Sequence, residues 1–199
     1  MSIWEWTGGF LKASISFTGK RLFFHFEKDH FDLETIEKLR FSMTEEEIYI
    51  DLEGVDIEGI HPDIIALCTI LLCNPFVGKE LHLPGPGSRG FFNSVNTVVS
   101  RYEIVSEVDD ELEQNIPLEM GIPALAFSGG ADSCAALAIM PGSTIPVFLN
   151  RPEIVGTKYD AHAPLKICEI LKESGYEVKV IETNLEFVRK PTGFPTDLA

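Results

Sequence analysis

The chain has 199 residues, 45% of them hydrophobic and 24% charged, with a formal net charge of −15. That balance suits a globular protein of one large or two small domains, and the acidity disfavours long-range attraction to nucleic acid or an anionic membrane, leaving a small molecule as the favoured partner. The longest apolar run, Ile64–Cys73, is too short to cross a bilayer, and the start MSIWEWTGGFLK lacks the basic end and cleavage site of a signal peptide, so a cytoplasmic protein is expected.

Residues 13–27 alternate apolar and polar around Thr18-Gly19-Lys20, which predicts a hairpin, and Glu47–Leu52 reads as a further strand. Glu45, Glu46 and Glu47 are expected to form a solvated turn, because adjacent side chains point apart and cannot converge on one metal ion. Pro62 opens a helix whose apolar residues Ile64, Ile65, Leu67, Cys68, Leu71 and Leu72 are expected to face a core, with an end before Asn74-Pro75. A strand over Glu80–Leu83, a Gly/Pro-rich turn, a helix over Phe91–Ser100 and a strand over Tyr102–Ser106 follow. The acidic stretch 107–120, with Pro117, is the expected junction between an N-terminal α/β module of unknown role (1–116) and a second unit (117–199).

In that second unit Pro123–Phe127 reads as a strand, Asp132–Met140 as an apolar helix stopped at Pro141-Gly142, and Ile145–Leu149 as a strand. Pro164–Ser174 reads as a helix closed by Gly175, and Glu177–Ile181 as a third strand. Their β-α-β-α-β order predicts a parallel sheet. The four cysteines, Cys68, Cys73, Cys134 and Cys168, form no CxxC pair and are expected as reduced core residues; Cys134 in particular is expected to face apolar surroundings.

The string PALAFSGGADSCAALAIMP carries the chemistry. Gly129 and Gly130 allow unusual backbone angles and close approach of phosphate oxygens to the main chain. The helix that follows aims its free N–H groups and positive dipole end at the same point. Ser128 and Ser133 add hydroxyl donors. Asp132 would repel phosphate directly, so its useful role is to hold Mg²⁺ bridging the phosphate oxygens.

Ser128, Gly129, Gly130, Asp132 and Ser133 match all five specified positions of SGGxDS, and here the chain resembles the PP-loop (N-type) ATP pyrophosphatase superfamily, which includes asparagine synthetase, GMP synthetase and 7-cyano-7-deazaguanine synthase. The later string YDAHAPLKICEILKESGYEVKVIE is similar to the family's second helix and third strand, so the resemblance covers about Ile122–Glu182. It implies ATP and Mg²⁺ as cofactors, Asp132 and Ser133 as catalytic residues, and main chain near Ala126, Phe127 and Leu149 as the adenine cradle. The activity it implies is adenylation of a small-molecule substrate with release of pyrophosphate, as in an amide- or nitrile-forming ligase. The family's sheet continues through more strands, so the resemblance implies a partial domain, completed by a partner subunit or a missing C-terminal region.

Two alternatives stay open at this level. One is a non-catalytic nucleotide-binding or assembly subunit. The other is a dinucleotide-binding protein using Gly85-Pro86-Gly87-Ser88-Arg89-Gly90, a GxGxxG string after an expected strand with Asp109 downstream, although Pro86 removes an N–H from the anion-binding turn. Asp160 and His162 read as helix-capping or substrate-orienting residues, and Arg151, Arg189 and Lys190 as basic groups within reach of phosphate or solvated on loops.

Overall fold

The computed structural model describes residues 9–28, 46–55, 59–116, 121–151 and 162–185. Glu45, Asp160, Arg189, Lys190, Pro117 and the first eight residues, all noted in the sequence, lie outside the described residues.

The first sheet grows from the expected hairpin. Strands β1 (Phe10–Thr18) and β2 (Arg21–Lys28) pair antiparallel around a two-residue turn in which Gly19 takes φ 61°, a conformation natural to glycine in tight hairpins. Alternation is strict on β2: Leu22, Phe24 and Phe26 are buried, while Phe23 and His25 lie on the opposite face. Strand β3 (Glu47–Asp51) joins antiparallel to β2. The chain then forms α1 (Pro62–Cys73), a 3₁₀ turn (Asn74–Phe76), β4 (Glu80–His82), β5 (Gly87–Ser88), α2 (Arg89–Val98), β6 (Glu103–Val105) and β7 (Val108–Asp109).

The first sheet has the order β3-β2-β1-β4-β6, with β4 parallel to both β1 and β6; β5 and β7 make a separate two-residue parallel pair. Helix α1 starts at Pro62, whose missing N–H costs nothing in a first turn, and His61 caps it by accepting from the Asp63 N–H at 3.1 Å. Only part of its expected core face is buried. Ile65, Ile70, Leu72 and Cys73 meet the sheet, whereas Ile64, Leu67 and Leu71 are exposed. The sequence offers two neighbouring apolar stripes, and the sheet has room for one of them.

The second unit runs β8 (Ala124–Ala126), α3 (Ala131–Ile139), β9 (Ile145–Asn150), α4 (His162–Glu173) and β10 (Lys179–Glu182), with all three strands parallel in the order β10-β9-β8. Its smaller core joins Phe127, Phe148 and Val178 to Leu137 of α3 and Cys168 of α4, so both helices cover one face of the sheet. On the other face Ala124, Ala126 and Leu149 are exposed. All four cysteines are free. Cys73 and Cys168 are buried and Cys68 is half-buried, but Cys134 is exposed, contrary to expectation, because only Leu137 on α3 turns fully into the core.

The two units meet at the far edge of the first sheet. Thr183 forms an antiparallel bridge with Ile50, its hydroxyl donates to the Tyr49 carbonyl at 2.7 Å, and Asn184 Oδ1 accepts from the Tyr49 N–H at 2.8 Å. Asn184 Nδ2 donates to the Glu47 carbonyl at 3.1 Å, and Leu185 packs against the first core. The molecule is thus a mixed α/β protein with four α-helices among the described residues and several sheets, some parallel. No described helix is long and apolar enough to cross a membrane.

Candidate functional site

At the end of β8 the chain passes through Ser128–Gly130 directly into α3. Gly129 sits at φ 72°, and a Cβ placed on it would lie 2.8 Å from Pro164 Cα, at the start of α4. The position therefore demands glycine twice over, for its backbone angle and for the close passage of a neighbouring helix. Gly130 differs. It has φ −80°, a Cβ there would meet only Ser128 Oγ at 3.4 Å, and as the N-cap of α3 it supplies no side-chain acceptor to the first amides. The helix start is consequently left with N–H groups that no cap engages.

The two hydroxyls converge over this point. Ser128 Oγ and Ser133 Oγ are 3.2 Å apart; Ser133 Oγ also donates to the Gly130 carbonyl at 3.0 Å, and Ser128 Oγ accepts from the Gly130 N–H at 3.3 Å. Asp132, in the first turn of α3, is exposed. Ser128, Gly129, Gly130, Asp132 and Ser133 thus form one surface loop at the carboxyl end of a parallel strand, the location where open α/β sheets bind ligands.

Phe127 and Leu149 stand differently. The Phe127 side chain is 3% exposed within the second core and its N–H donates to the Val147 carbonyl at 2.8 Å. The Leu149 side chain is exposed on the face of the sheet opposite the helices, so the main chain is the part of either residue that can line the loop side. Arg151 follows β9 directly, and His162 is the first residue of α4.

The sequence reading missed a pair on the loop side. Asn150 and Glu182 are register partners at the last positions of β9 and β10, and Asn150 Nδ2 donates to both carboxylate oxygens of Glu182, at 2.8 and 3.0 Å. Period-two counting from buried Phe148 and from Val180 places both on the helix-covered face. The signal was present in that parity, hidden because pairing between strands is not written in either strand alone.

Among the described residues no group of three or more His, Cys, Asp or Glu side chains could hold a metal ion. The loop's donor set, one exposed carboxylate beside two hydroxyls, suits Mg²⁺ arriving with a nucleotide, because this ion takes one or two carboxylates and completes its shell with phosphate oxygens and water.

The Gly85–Gly90 string has a different occupant. Asp63, 4% exposed, accepts from the Ser88 N–H at 2.8 Å, the Ser88 hydroxyl at 2.7 Å and the Asn115 N–H at 3.1 Å. Burial pushes its carboxyl pKa up, but the Ser88 and Asn115 hydrogen bonds together with nearby His61 more than offset this, and the net shift is downward. A protein carboxylate thus fills the turn at Ser88. Asp109 accepts from the Glu111 and Leu112 N–H groups at 2.9 and 3.2 Å.

A further array lies on the outer face of the first sheet, where Ser16 Oγ is 2.7 Å from His25 Nε2 and His25 Nδ1 is 3.1 Å from Glu47 Oε2. His25 and Glu47 are direct partners across β2 and β3, and Ser16 is diagonal to His25, a spacing that antiparallel pairing gives to any polar trio. We read it as a cross-strand polar cluster. No protein-family model, no curated protein and no solved structure matches this chain.

Proposed function

We propose that the Ser128–Ser133 loop binds the phosphates of Mg-ATP and that the chain serves adenylation of a small-molecule substrate with release of pyrophosphate, as its resemblance to PP-loop ATP pyrophosphatases implies. The carrying observation is the passage of β8 into an uncapped helix through Gly129 at φ 72°, with Ser128 and Ser133 hydroxyls 3.2 Å apart over the helix start. Phosphate oxygens would replace the weak contacts these hydroxyls make with each other and with the loop main chain.

In this scheme Ser128, Gly129, Gly130 and Ser133 orient the β- and γ-phosphates, and Asp132 would hold Mg²⁺, which would offset the phosphate charge. A substrate oxygen then displaces pyrophosphate from the α-phosphorus, and the loop stabilises the charge gathering on the leaving group. Catalysis comes from positioning and electrostatics, with no protein nucleophile. A cytoplasmic setting belongs to the same proposal. The dinucleotide alternative is weakened because the Ser88 N–H that would meet a pyrophosphate already serves Asp63.

A second reading, a nucleotide-binding assembly subunit, draws on the exposed Ala124, Ala126 and Leu149 face, since parallel sheets are normally covered on both sides. Calorimetric titration of Mg-ATP into the wild type and a Gly130→Trp, Asp132→Ala double variant, with pyrophosphate release assayed alongside, separates these readings. Saturable binding lost in the variant together with pyrophosphate release supports the enzyme; binding without release supports the assembly subunit. A folded wild type that binds no Mg-ATP overturns both.

A further inference from the structure

We infer that Glu182, held in place by Asn150, selects ribonucleotides, its carboxylate accepting hydrogen bonds from the vicinal hydroxyls of the ribose. The inference rests on the phosphate-loop reading above and adds to it the residue that recognises the sugar.

Glu182 ends β10 and Asn150 ends β9, at the same carboxyl edge of the parallel sheet from which the Ser128–Ser133 loop leaves β8. Strand alternation puts both side chains on the face covered by α3 and α4, the side on which the loop enters α3 and on which Gly129 meets Pro164 of α4. From β8 to β10 is two strand spacings, about 10 Å, so a nucleotide with its phosphates on the loop can extend its sugar along the edge towards Glu182.

The chemistry of the pair suits a diol. A single amide nitrogen, Asn150 Nδ2, serves both Glu182 oxygens at 2.8 and 3.0 Å. This fixes the carboxylate plane and leaves further acceptor positions on each oxygen, because an ionised carboxylate has about four lone-pair sites. Glu182 is exposed, so those positions face solvent and are open to a ligand. Two adjacent acceptors with no donor match two adjacent hydroxyls. The same solution, an acidic side chain at the end of a neighbouring parallel strand, recognises ribose in dinucleotide-binding folds, where it also rejects a phosphate on the sugar. Asn150 is then a positioning residue that touches the carboxylate and not the nucleotide.

The test is calorimetric titration of Mg-ATP, Mg-2′-deoxyATP and Mg-tripolyphosphate into the wild type and into Glu182→Ala, Glu182→Gln and Asn150→Ala variants. The wild type should prefer ATP over 2′-deoxyATP by about 10- to 100-fold, the range set by lost hydrogen bonds to a charged acceptor. Glu182→Ala should bring ATP to the affinity of 2′-deoxyATP while tripolyphosphate binds as before. The near-isosteric Glu182→Gln, with one acceptor oxygen left, should keep part of the preference. Asn150→Ala should weaken the preference without touching tripolyphosphate.

Equal affinity of the wild type for ATP and 2′-deoxyATP, with tripolyphosphate still bound, overturns the ribose assignment and leaves the loop standing. Parallel loss of all three ligands in Glu182→Ala and Glu182→Gln overturns it as well, marking a structural role. A folded wild type that binds neither ATP nor tripolyphosphate removes the loop reading and this assignment together.

Discussion

Adjacent glycines in one loop do different work. An alanine at 129 would have to hold φ 72° and force Pro164 away, so Gly129→Ala should destabilise the protein by about 1–3 kcal/mol in urea titration and abolish Mg-ATP binding. Gly130→Ala, with φ −80° and only Ser128 Oγ at 3.4 Å, should change stability by less than about 1 kcal/mol. Equal costs at the two sites would show that Pro164 gives way and the loop is not fixed as described. Asp63 is the opposite kind of residue, buried and needed for its charge. Asp63→Asn should cost about 1–3 kcal/mol at neutral pH. Because folding lowers its pKa, its stabilisation is full above the unfolded carboxylate value of about 3.9 and drains away as pH falls through the folded value. The gap between wild type and Asp63→Asn in denaturation midpoint should therefore narrow in acid. A gap that stays constant from neutral pH to acid would count against an ionised Asp63.

Among elements, the junction between the two units depends on very few groups. Tyr49 has both its N–H and its carbonyl taken by residues 183 and 184. Asn184→Ala leaves the Tyr49 N–H and the Glu47 carbonyl without these partners and should cost about 1–2 kcal/mol. Hydrogen exchange should show the loss first at Tyr49; an unchanged Tyr49 amide would mean that the Thr183 contacts and Leu185 packing hold the junction without Asn184. Most elements were legible beforehand. The hairpin declared itself through alternation about Gly19, α1 through Pro62, and the parallel sheet through its β-α-β-α-β order. What sequence could not supply was pairing over distance: β1 beside β4, Asp63 reaching Ser88, and Asn150 set against Glu182. Each depends on segments whose own patterns carry no mark of the partner. Helix α1 and Cys134 were misjudged for a related reason, since apolar character states what could be buried and the extent of the covering surface decides what is. At the loop, the five motif residues were visible in the string, but the role of Pro164 in fixing Gly129 was not.

At the scale of the whole molecule, among the described residues the larger core belongs to the first sheet, while the second unit has a handful of buried residues and helices on one side of its sheet. The unit carrying the candidate site is thus the more lightly built one, in keeping with the tendency of ligand-binding regions to occupy the less stable parts of a fold. Its attachment to the first sheet also bears on the order of events during synthesis. Tyr49 and Thr183 are 134 positions apart, so β3 is made long before the residues that cover its edge. In the interval the main-chain groups of Glu47 and Tyr49 face outward unpaired, a template open to any passing strand. Thr183 and Asn184, just after β10, therefore act as a late guard on the first sheet, and the nascent chain is most exposed to wrong pairing until residue 184 has emerged.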